Sequence, residues 1–400
     1  MAVAGMPVAR QRVVVSALGV VQIVGWGSTY YLLAVLGGPI AQDTGWPIGW
    51  VVAGMSLGLF TSGMAAPLVG DAIRARGGKP FLTAAFPTLA LGLLALALSP
   101  NLAVFFLGWA VIGLGMSMGL YDASFATLGG LYGREARSAI TALTLWGGFA
   151  STLAWPLSAA LNSAVGWRWT CVFYAMVHLL VCLPLVLALV PGNGRRPAQA
   201  RPVTLPPVAL TGPERRAFWI MLAINTLSGT CFTIIAVHLV ILLQGRGLNM
   251  AEAVAMGALI GPAQFVARLG EMLSGGRHHP IWTMMTAVLL AAVGLGLLAS
   301  GWQVIGLAIL LYGAGNGVFS IAKGALPLVW FGPDRYAPIM GRLARPGQIA
   351  QALAPTLGAM LLAAGGVDLT LWVLAGLGLI NIGLVVLLRR GASAAGGGGP

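Results

Sequence analysis

The feature that most constrains this chain is a series of apolar runs, each close to the length of a membrane crossing. About 20 apolar residues span the hydrocarbon core of a bilayer, and runs of this kind recur along all 400 residues, separated by short segments that hold most of the charges. Only 8% of the residues are charged, whereas an average soluble domain has about 25%. The pattern excludes a soluble fold and predicts an all-α membrane protein.

The positions of the apolar runs predict twelve transmembrane helices. The first run is longer than the core of a signal peptide and lacks a clear cleavage site, so we expect it to be retained as a helix. The predicted ranges are 13–36, 48–70, 81–99, 102–130, 139–164, 169–190, 217–243, 251–273, 281–300, 303–330, 343–364 and 369–388.

The distribution of basic residues predicts the orientation of these helices. If the N-terminus is cytoplasmic, nearly all loop arginines fall on the cytoplasmic side, and only Arg168 and Arg246 fall outside. By the positive-inside rule, both termini then lie in the cytoplasm, and the protein is a multi-pass protein of a bacterial inner membrane. The net charge of +13 is scattered over short loops, so it does not indicate a nucleic-acid partner.

An internal repeat predicts two pseudo-symmetric halves. The segment 70–80 is matched by 270–280, and 153–159 is matched by 353–359, both at an offset of 200 residues. The polar segment 192–216 is rich in arginine and proline and is interpreted as a cytoplasmic linker. The predicted domains are therefore a six-helix bundle at 1–191, the linker at 192–216 and a second six-helix bundle at 217–400.

The segment between the second and third predicted helices has glycines and charges in a characteristic order: Gly70, Asp71, Arg74, Gly77 and Lys79. In this segment and in the six-plus-six arrangement, the whole chain resembles the major facilitator superfamily (MFS). The resemblance implies the MFS fold, alternating access, and a gating role for these five residues. Arg74 stands where the family has an aspartate, and Asp71 lies three residues earlier, so we expect the two to pair on a continuing helix. Alternatively, these charges only terminate the helix on the cytoplasmic side.

Two signatures of proton-coupled drug antiporters in this superfamily are replaced here. Trp109 stands in place of a basic residue, and Trp155 precedes Pro156 where those antiporters have a glycine. Several glycines in the fourth and tenth predicted helices superficially resemble nucleotide-binding loops, but they follow no strand, so we interpret them as sites of close helix packing. These glycines are Gly113, Gly115, Gly119, Gly313, Gly315 and Gly317.

Charges inside apolar helices are the best candidates for function, because each costs about 2.5–3.5 kcal/mol at a helix centre on insertion scales. Asp122 and Lys323 lie about 9 and 10 Å cytoplasmic of the centres of their predicted helices. Those helices correspond in the repeat. Asp122 is predicted to couple transport to protons, and Lys323 to bind an anionic substrate or to pair with Asp122. The alternative is that both side chains anchor their helices at the cytoplasmic interface.

Other polar residues complete the predicted sites. Arg268 and Glu271 are expected to form an i, i+3 ion pair with a gating role at the end of the eighth helix. A second group lies on helices that line or flank the cavity in the superfamily, and its members are predicted to bind substrate, although each could instead form an interhelical hydrogen bond. They are Tyr30, Tyr31, Tyr121, Asn225, Gln264, Asn316, Gln348 and Gln351.

Taken together, these patterns predict a secondary transporter rather than an enzyme. The expected substrate is a small solute, with an organic anion favoured, moved with protons by a monomer that needs no cofactor and no metal. Isolated His178 and His238 are expected to be packed or hydrogen-bonded. The alternative is an efflux pump for a drug or for a trivalent metalloid, the latter binding through Cys171 or Cys231.

Overall fold

Most of the residues that the structure describes lie in helices. A computed structural model describes most of the chain, in the ranges 8–192, 209–274 and 277–395. No β-strand occurs in these ranges. Most of the predicted linker, with Arg195, Arg196 and Arg201, lies outside the described residues, as do Gly275 and Gly276 of the second repeat. The all-α fold predicted from the apolar runs is confirmed.

Fifteen α-helices follow one another along the described residues, with a 3-10 turn at Gly133–Glu135 and a π-helical turn at His178–Cys182. They are α1 (Val8–Gly27), α2 (Leu32–Thr44), α3 (Ile48–Arg76), α4 (Lys79–Ala97), α5 (Leu102–Gly119), α6 (Tyr121–Tyr132), α7 (Ala136–Gly147), α8 (Ala150–Val177), α9 (Leu183–Leu189), α10 (Gly212–Gln244), α11 (Met250–Ala258), α12 (Ile260–Leu273), α13 (Pro280–Ser300), α14 (Ile305–Phe331) and α15 (Pro333–Ala395).

Several helix starts are fixed by side-chain caps. Asn101 accepts a hydrogen bond from the Val104 amide at the start of α5. Asn249 and Glu252 form a reciprocal capping box at the start of α11. Thr211 and Glu214 form the same arrangement at the start of α10. Such caps satisfy backbone amides that have no partner within the helix.

Nine helical runs of the described residues are long and apolar enough to cross a membrane. The longest two, Leu102–Leu189 and Pro333–Gly391, contain 88 and 59 residues, which exceeds the requirement of about 20 residues for one crossing. Both are interrupted by non-helical glycines, at Gly166 in the first and at Gly365 and Gly366 in the second. The runs are therefore consistent with the twelve predicted helices.

The predicted bounds of the first helix, 13–36, are wrong. The helix is interrupted at residues 28–31 and then continues as α2 to Thr44. The sequence Gly37-Gly38-Pro39 suggests a loop, but Leu36 and Ile40 are completely buried. Packing of this apolar face keeps the segment helical despite its internal proline.

Two further helix bounds differ from the prediction, both at helix ends that are predicted to be cytoplasmic. The second predicted helix was expected to end at residue 70, but α3 continues to Arg76 because Ile73 is buried. The eleventh was expected to begin at 343, but α15 begins at Pro333. The charges between 333 and 345 indicate a loop, whereas buried Tyr336 and Met340 pack this segment as a helix.

The described residues form two compact units. Unit one contains the described residues of Met1–Val208 together with Phe331–Arg345, and unit two contains Ala209–Trp330 and Pro346–Pro400 as far as they are described. The first turns of α15 thus pack with unit one. The predicted division into bundles at 192–216 stays a prediction.

Unit one is built around close contacts between helix backbones at glycines. A Cβ atom on Gly92 of α4 would lie 2.9 Å from the carbonyl oxygen of Gly108 in α5. A Cβ atom on Gly113 would overlap the carbonyl oxygen of Gly58 in α3. Because these positions leave no room for a side chain, α3, α4 and α5 pack with their backbones nearly in contact.

Unit two repeats these glycine contacts at an offset of 200 to 202 residues. A Cβ atom on Gly294 of α13 would lie 2.6 Å from the carbonyl oxygen of Ala308 in α14. A Cβ atom on Gly313 would lie 3.0 Å from the carbonyl oxygen of Ile260 in α12. The interpretation of Gly113 and Gly313 as sites of close helix packing is confirmed.

Candidate functional site

The break between α1 and α2 is the first candidate site in unit one. Within residues 28–31 the backbone departs from the α-helical pattern, since the Tyr31 amide bonds to the carbonyl of Trp26 and the Leu32 amide to that of Thr29. Irregular backbone at membrane depth is tolerated only where protein buries it or where it lines a water-filled cavity. The two predicted substrate residues Tyr30 and Tyr31 lie in this break and are half-buried.

Five rings around this break form what we call the aromatic wall: Trp26, Tyr30, Tyr31, Tyr121 and Trp155. The Trp26 ring lies 5.6 Å from Tyr30 and 5.1 Å from Tyr121. Tyr31 meets Tyr30 at 89° and Trp155 at 86°, with ring centroids 5.5 and 6.2 Å apart. The wall thus brings together three of the predicted substrate residues, Tyr30 and Tyr31 from the break and Tyr121 from α6. Trp26 of α1 and Trp155 of α8 complete it.

Small residues allow the wall to assemble. A Cβ atom on Gly27 would lie 2.6 Å from the Cβ of Ala154, so α1 and α8 approach closely next to Trp155. A Cβ atom on Gly147 would overlap the hydroxyl of Tyr121. That hydroxyl donates a hydrogen bond of 3.4 Å to the carbonyl of Thr144.

Buried polar groups hold the backbone behind the wall. The Gln22 amide donates to the Gly119 carbonyl at 2.8 Å and to the Ser124 hydroxyl at 2.9 Å, and its oxygen accepts from the Trp26 indole at 3.1 Å. Gln22 therefore ties α1 to the junction of α5 and α6. Its role was not predicted, because one glutamine in an apolar run gives no indication of its partners.

His178, His238 and the cysteines of the described residues are packed in the interior. The Nε2 atom of His178 shares a hydrogen bond of 2.7 Å with the Ser28 hydroxyl, and Nε2 of His238 lies 2.9 Å from the carbonyl oxygen of Pro355. The cysteines, Cys171, Cys182 and Cys231, are free thiols and buried. Within the described ranges, no three His, Cys, Asp or Glu residues lie together as metal ligands.

Asp122 lies just after a second backbone break. Leu120 is extended (φ −81°, ψ −165°), so α5 ends before it, and Asp122 falls in the first turn of α6. Its Oδ1 atom is buried. Its charge acts electrostatically on Tyr336, a completely buried residue in the first turns of α15.

The segment 333–345 packs against α3 and α6 within unit one. A Cβ atom on Gly70 would lie 2.5 Å from the carbonyl oxygen of Ala337, so Gly70 of the predicted gate permits this contact. The Tyr336 ring occupies the space beside Gly129 of α6. Replacing either glycine by a residue with a side chain would force the segment away from α3 or α6.

An ion pair reinforces this contact. The guanidinium of Arg342 lies 3.3 Å from Oδ1 of Asp71 and donates to both carboxylate oxygens. Asp71 was expected to pair with Arg74, which stays a prediction, and the structure brings it to Arg342. Sequence reasoning missed Arg342, because the two charges of this pair are 271 residues apart in the chain.

The remaining gating residues of unit one lie near the junction of α3 and α4. Gly77 adopts a positive φ of 82° and ends α3. Lys79 donates a hydrogen bond of 2.7 Å to the carbonyl of Leu187 at the end of α9. Arg74 lies on the last turns of α3.

In unit two, buried Arg268 connects α12 to α14. Its Nε donates to the carbonyl of Gly317 at 3.2 Å, and a terminal nitrogen donates to Oε1 of Gln264 at 3.3 Å. Glu271 accepts a hydrogen bond of 2.8 Å from the Thr283 hydroxyl. The structure therefore brings the predicted gating residue Arg268 together with the predicted substrate residue Gln264.

The other predicted substrate residues of unit two lie on α10, α14 and α15. Asn316 and Lys323 are half-buried in α14. Asn225 is buried in α10, and Gln348 is half-buried in α15. The predicted contact between Asp122 and Lys323 stays a prediction, as do the functional roles of all these residues.

These features define a class: a multi-pass helical membrane protein with broken helices and polar residues at membrane depth. Residues 15–277 match the Major Facilitator Superfamily. The chain belongs to this superfamily and is a secondary transporter that moves a small molecule. The resemblance drawn from the helix arrangement and the segment after Gly70 is confirmed.

A solved structure shows the same fold. The crystal structure of the human organic anion transporter MFSD10 (TETRAN) is similar to this chain with a TM-score of 0.74 at 18% sequence identity, covering 95% of this chain and 100% of that one. No curated protein matches the chain significantly. The MFS fold is confirmed by these findings.

Proposed function

We propose that this transporter carries a small organic anion across a bacterial inner membrane together with protons, as a monomer with both termini in the cytoplasm. Lys323 is the observation that supports an anion. The residue is half-buried in α14, about 7.5 Å from the middle of that helix at a rise of about 1.5 Å per residue. A cation placed there attracts a negatively charged solute. The similar structure described above is that of an organic anion transporter.

Asp122 supports proton coupling. It is the acid set most deeply within the apolar runs, and it acts electrostatically on Tyr336 of the segment 333–345. Protonation would remove the negative charge from this contact. We propose that loading a proton on Asp122 loosens the segment from α3 and α6, and so links the proton to gating by Asp71, Arg342 and Gly70.

Transport in proteoliposomes tests this function. The purified chain is reconstituted, an outward or inward pH gradient is imposed, and accumulation of radiolabelled organic carboxylates is compared with that of organic cations and neutral solutes of the same size. We expect accumulation of carboxylates that collapses when a protonophore removes the gradient. Selective accumulation of cations, or carboxylate uptake that ignores the gradient, would overturn the anion or the proton part of the proposal, respectively.

A further inference from the structure

The aromatic wall lies at the middle of the membrane-spanning helices. The run that contains α1 and α2 extends from Ala9 to Thr44, so Trp26 is at its midpoint and Tyr31 is about 7 Å beyond at a rise of about 1.5 Å per residue. Tyr121 lies about 6 Å from the middle of the run formed by α5 and α6. Tryptophan and tyrosine are usually enriched at the membrane interfaces. Interfacial anchoring therefore does not explain these rings.

The wall is adjacent to irregular backbone that must avoid lipid. Tyr30 and Tyr31 belong to the break at 28–31, which is tolerated at this depth only inside protein or along an aqueous cavity. Yet the wall is not sealed by protein within unit one, because Trp155 is 46% exposed and the other four rings are half-buried. The exposed parts of these rings are consequently expected to line a water-filled cavity.

The arrangement of the rings matches a flat aromatic guest. Tyr31 is nearly perpendicular to both Tyr30 and Trp155. Each of these two pairs therefore forms a corner in which the face of one ring lies beside the edge of the other. A further ring in such a corner stacks on one face and meets the edge of the next, which is the geometry that aromatic pairs prefer. An aliphatic group of the same size has no such quadrupole and gains only the contact area.

We infer that the aromatic wall binds the aromatic ring of the transported solute, so that the substrate class is an aromatic carboxylate. The anionic part of this inference rests on the proposed function, whereas recognition of the ring rests on the wall alone. Each ring pair favours an aromatic guest over its saturated analogue by about two- to tenfold. The wall therefore selects solutes with a planar aromatic ring over those with a saturated ring.

Matched ligands and variants test ring recognition in the purified full-length chain. Binding of benzoate is compared with that of cyclohexanecarboxylate, which has the same charge and a saturated ring, by ligand-induced thermal stabilisation and by competition in transport. We expect benzoate to bind at least about threefold more tightly to the wild type. Tyr31→Leu and Trp155→Leu should abolish this preference, and Tyr31→Phe, which keeps the ring, should retain it.

The control is Trp50→Leu, which removes an exposed aromatic residue of the same unit that pairs with Phe106 outside the wall. It should leave the benzoate preference unchanged. Equal binding of the two carboxylates, or a preference that persists in both leucine variants, overturns the inference while leaving anion transport intact. If neither carboxylate binds but benzylammonium does, through the same rings, the anionic substrate class is wrong and the proposed function fails with it.

A labelling experiment tests the exposure of the wall to water. Because the cysteines of the described residues are buried, Trp155→Cys provides a reactive thiol at a known position. We expect a membrane-impermeant maleimide to label it from the side to which the cavity opens, and benzoate to slow the labelling more than cyclohexanecarboxylate does. A thiol that reacts only with lipid-soluble reagents would place Trp155 against lipid and would overturn the inference.

Discussion

At the scale of single residues, Asp122 combines a buried oxygen with a position at a helix start. The first turn of a helix favours a negative charge by about 0.3–1 kcal/mol, and α6 begins only one residue before Asp122. The carboxylate is thus held in a site that tolerates its charge, next to Tyr336 in the segment 333–345. Under the proposed function, protonation of Asp122 would remove this charge and alter the contact with the segment 333–345.

Replacing Asp122 by asparagine should therefore uncouple transport. Asp122→Asn is nearly isosteric and permanently neutral, so we expect normal insertion and folding, loss of accumulation driven by a pH gradient, and persistence of substrate exchange. Proteoliposome assays with and without a gradient measure both activities. Asp368→Asn, which removes a carboxylate that pairs with Arg246, serves as the control. An undiminished response of Asp122→Asn to the gradient would make this residue a structural anchor.

Lys323 leads to a prediction about affinity. Lys323→Met removes the charge and keeps most of the side-chain length, so an anionic substrate loses a charge-assisted contact of about 1.5–3 kcal/mol. This corresponds to binding weaker by roughly ten- to hundredfold. Titration of uptake against substrate concentration measures the change. The control is Arg134→Met, which removes an exposed cation of the 3-10 turn at Gly133–Glu135. A loss of folded protein equal to the loss of transport would show that Lys323 is structural.

At the scale of helices, the contact of α15 with α3 joins a tight backbone approach to an exposed ion pair. The side chains of Arg342 and Asp71 are 36% and 51% exposed, so solvent screens their attraction, and such pairs contribute only about 0–1 kcal/mol. The backbone contact at Gly70 and the burial of Tyr336 consequently provide most of the stability. The ion pair adjusts how readily the segment detaches.

This division predicts a small, reversible effect of the charges. Asp71→Asn should raise the maleimide reactivity of a cysteine introduced at Ala337 by at most about fivefold, the equivalent of about 1 kcal/mol. The double exchange Asp71→Arg with Arg342→Asp should restore the original reactivity. Asp43→Asn, which removes the carboxylate near Arg168, should have no effect. Reactivity that rises equally in all variants would show general loosening rather than a specific contact.

The presence of the membrane helices was predictable because hydropathy reports local burial in lipid. The breaks within them were not predictable from the sequence. Nothing in Ser28-Thr29-Tyr30-Tyr31 predicts an interruption, since no glycine or proline lies within it. The break depends on partners far away in sequence, such as His178, which shares a hydrogen bond with Ser28. For the same reason the roles of Gln22 and Arg342 became visible only when the helices were packed.

At the scale of the whole molecule, the charge distribution predicts one orientation in the membrane. Single cysteines introduced within 192–216 and at either end should react with an impermeant reagent only from the cytoplasmic side. A cysteine at Trp302, an exposed residue between α13 and α14, should react only from the opposite side. Labelling of intact cells against inverted vesicles distinguishes the two. An external C-terminus would contradict the scheme.

The glycine contacts that recur in the two units also allow the predicted halves to be aligned residue by residue. If Gly113 is set equivalent to Gly313, then Asp122 corresponds to Ala322 and Lys323 corresponds to Ala123. The acid and the base therefore occupy neighbouring rather than identical positions of the duplicated helix. A simple inheritance from one ancestral half would have produced the same charge twice at the same place. The repeated glycine contacts support the predicted duplication, and Asp122 and Lys323 mark a difference between its two halves.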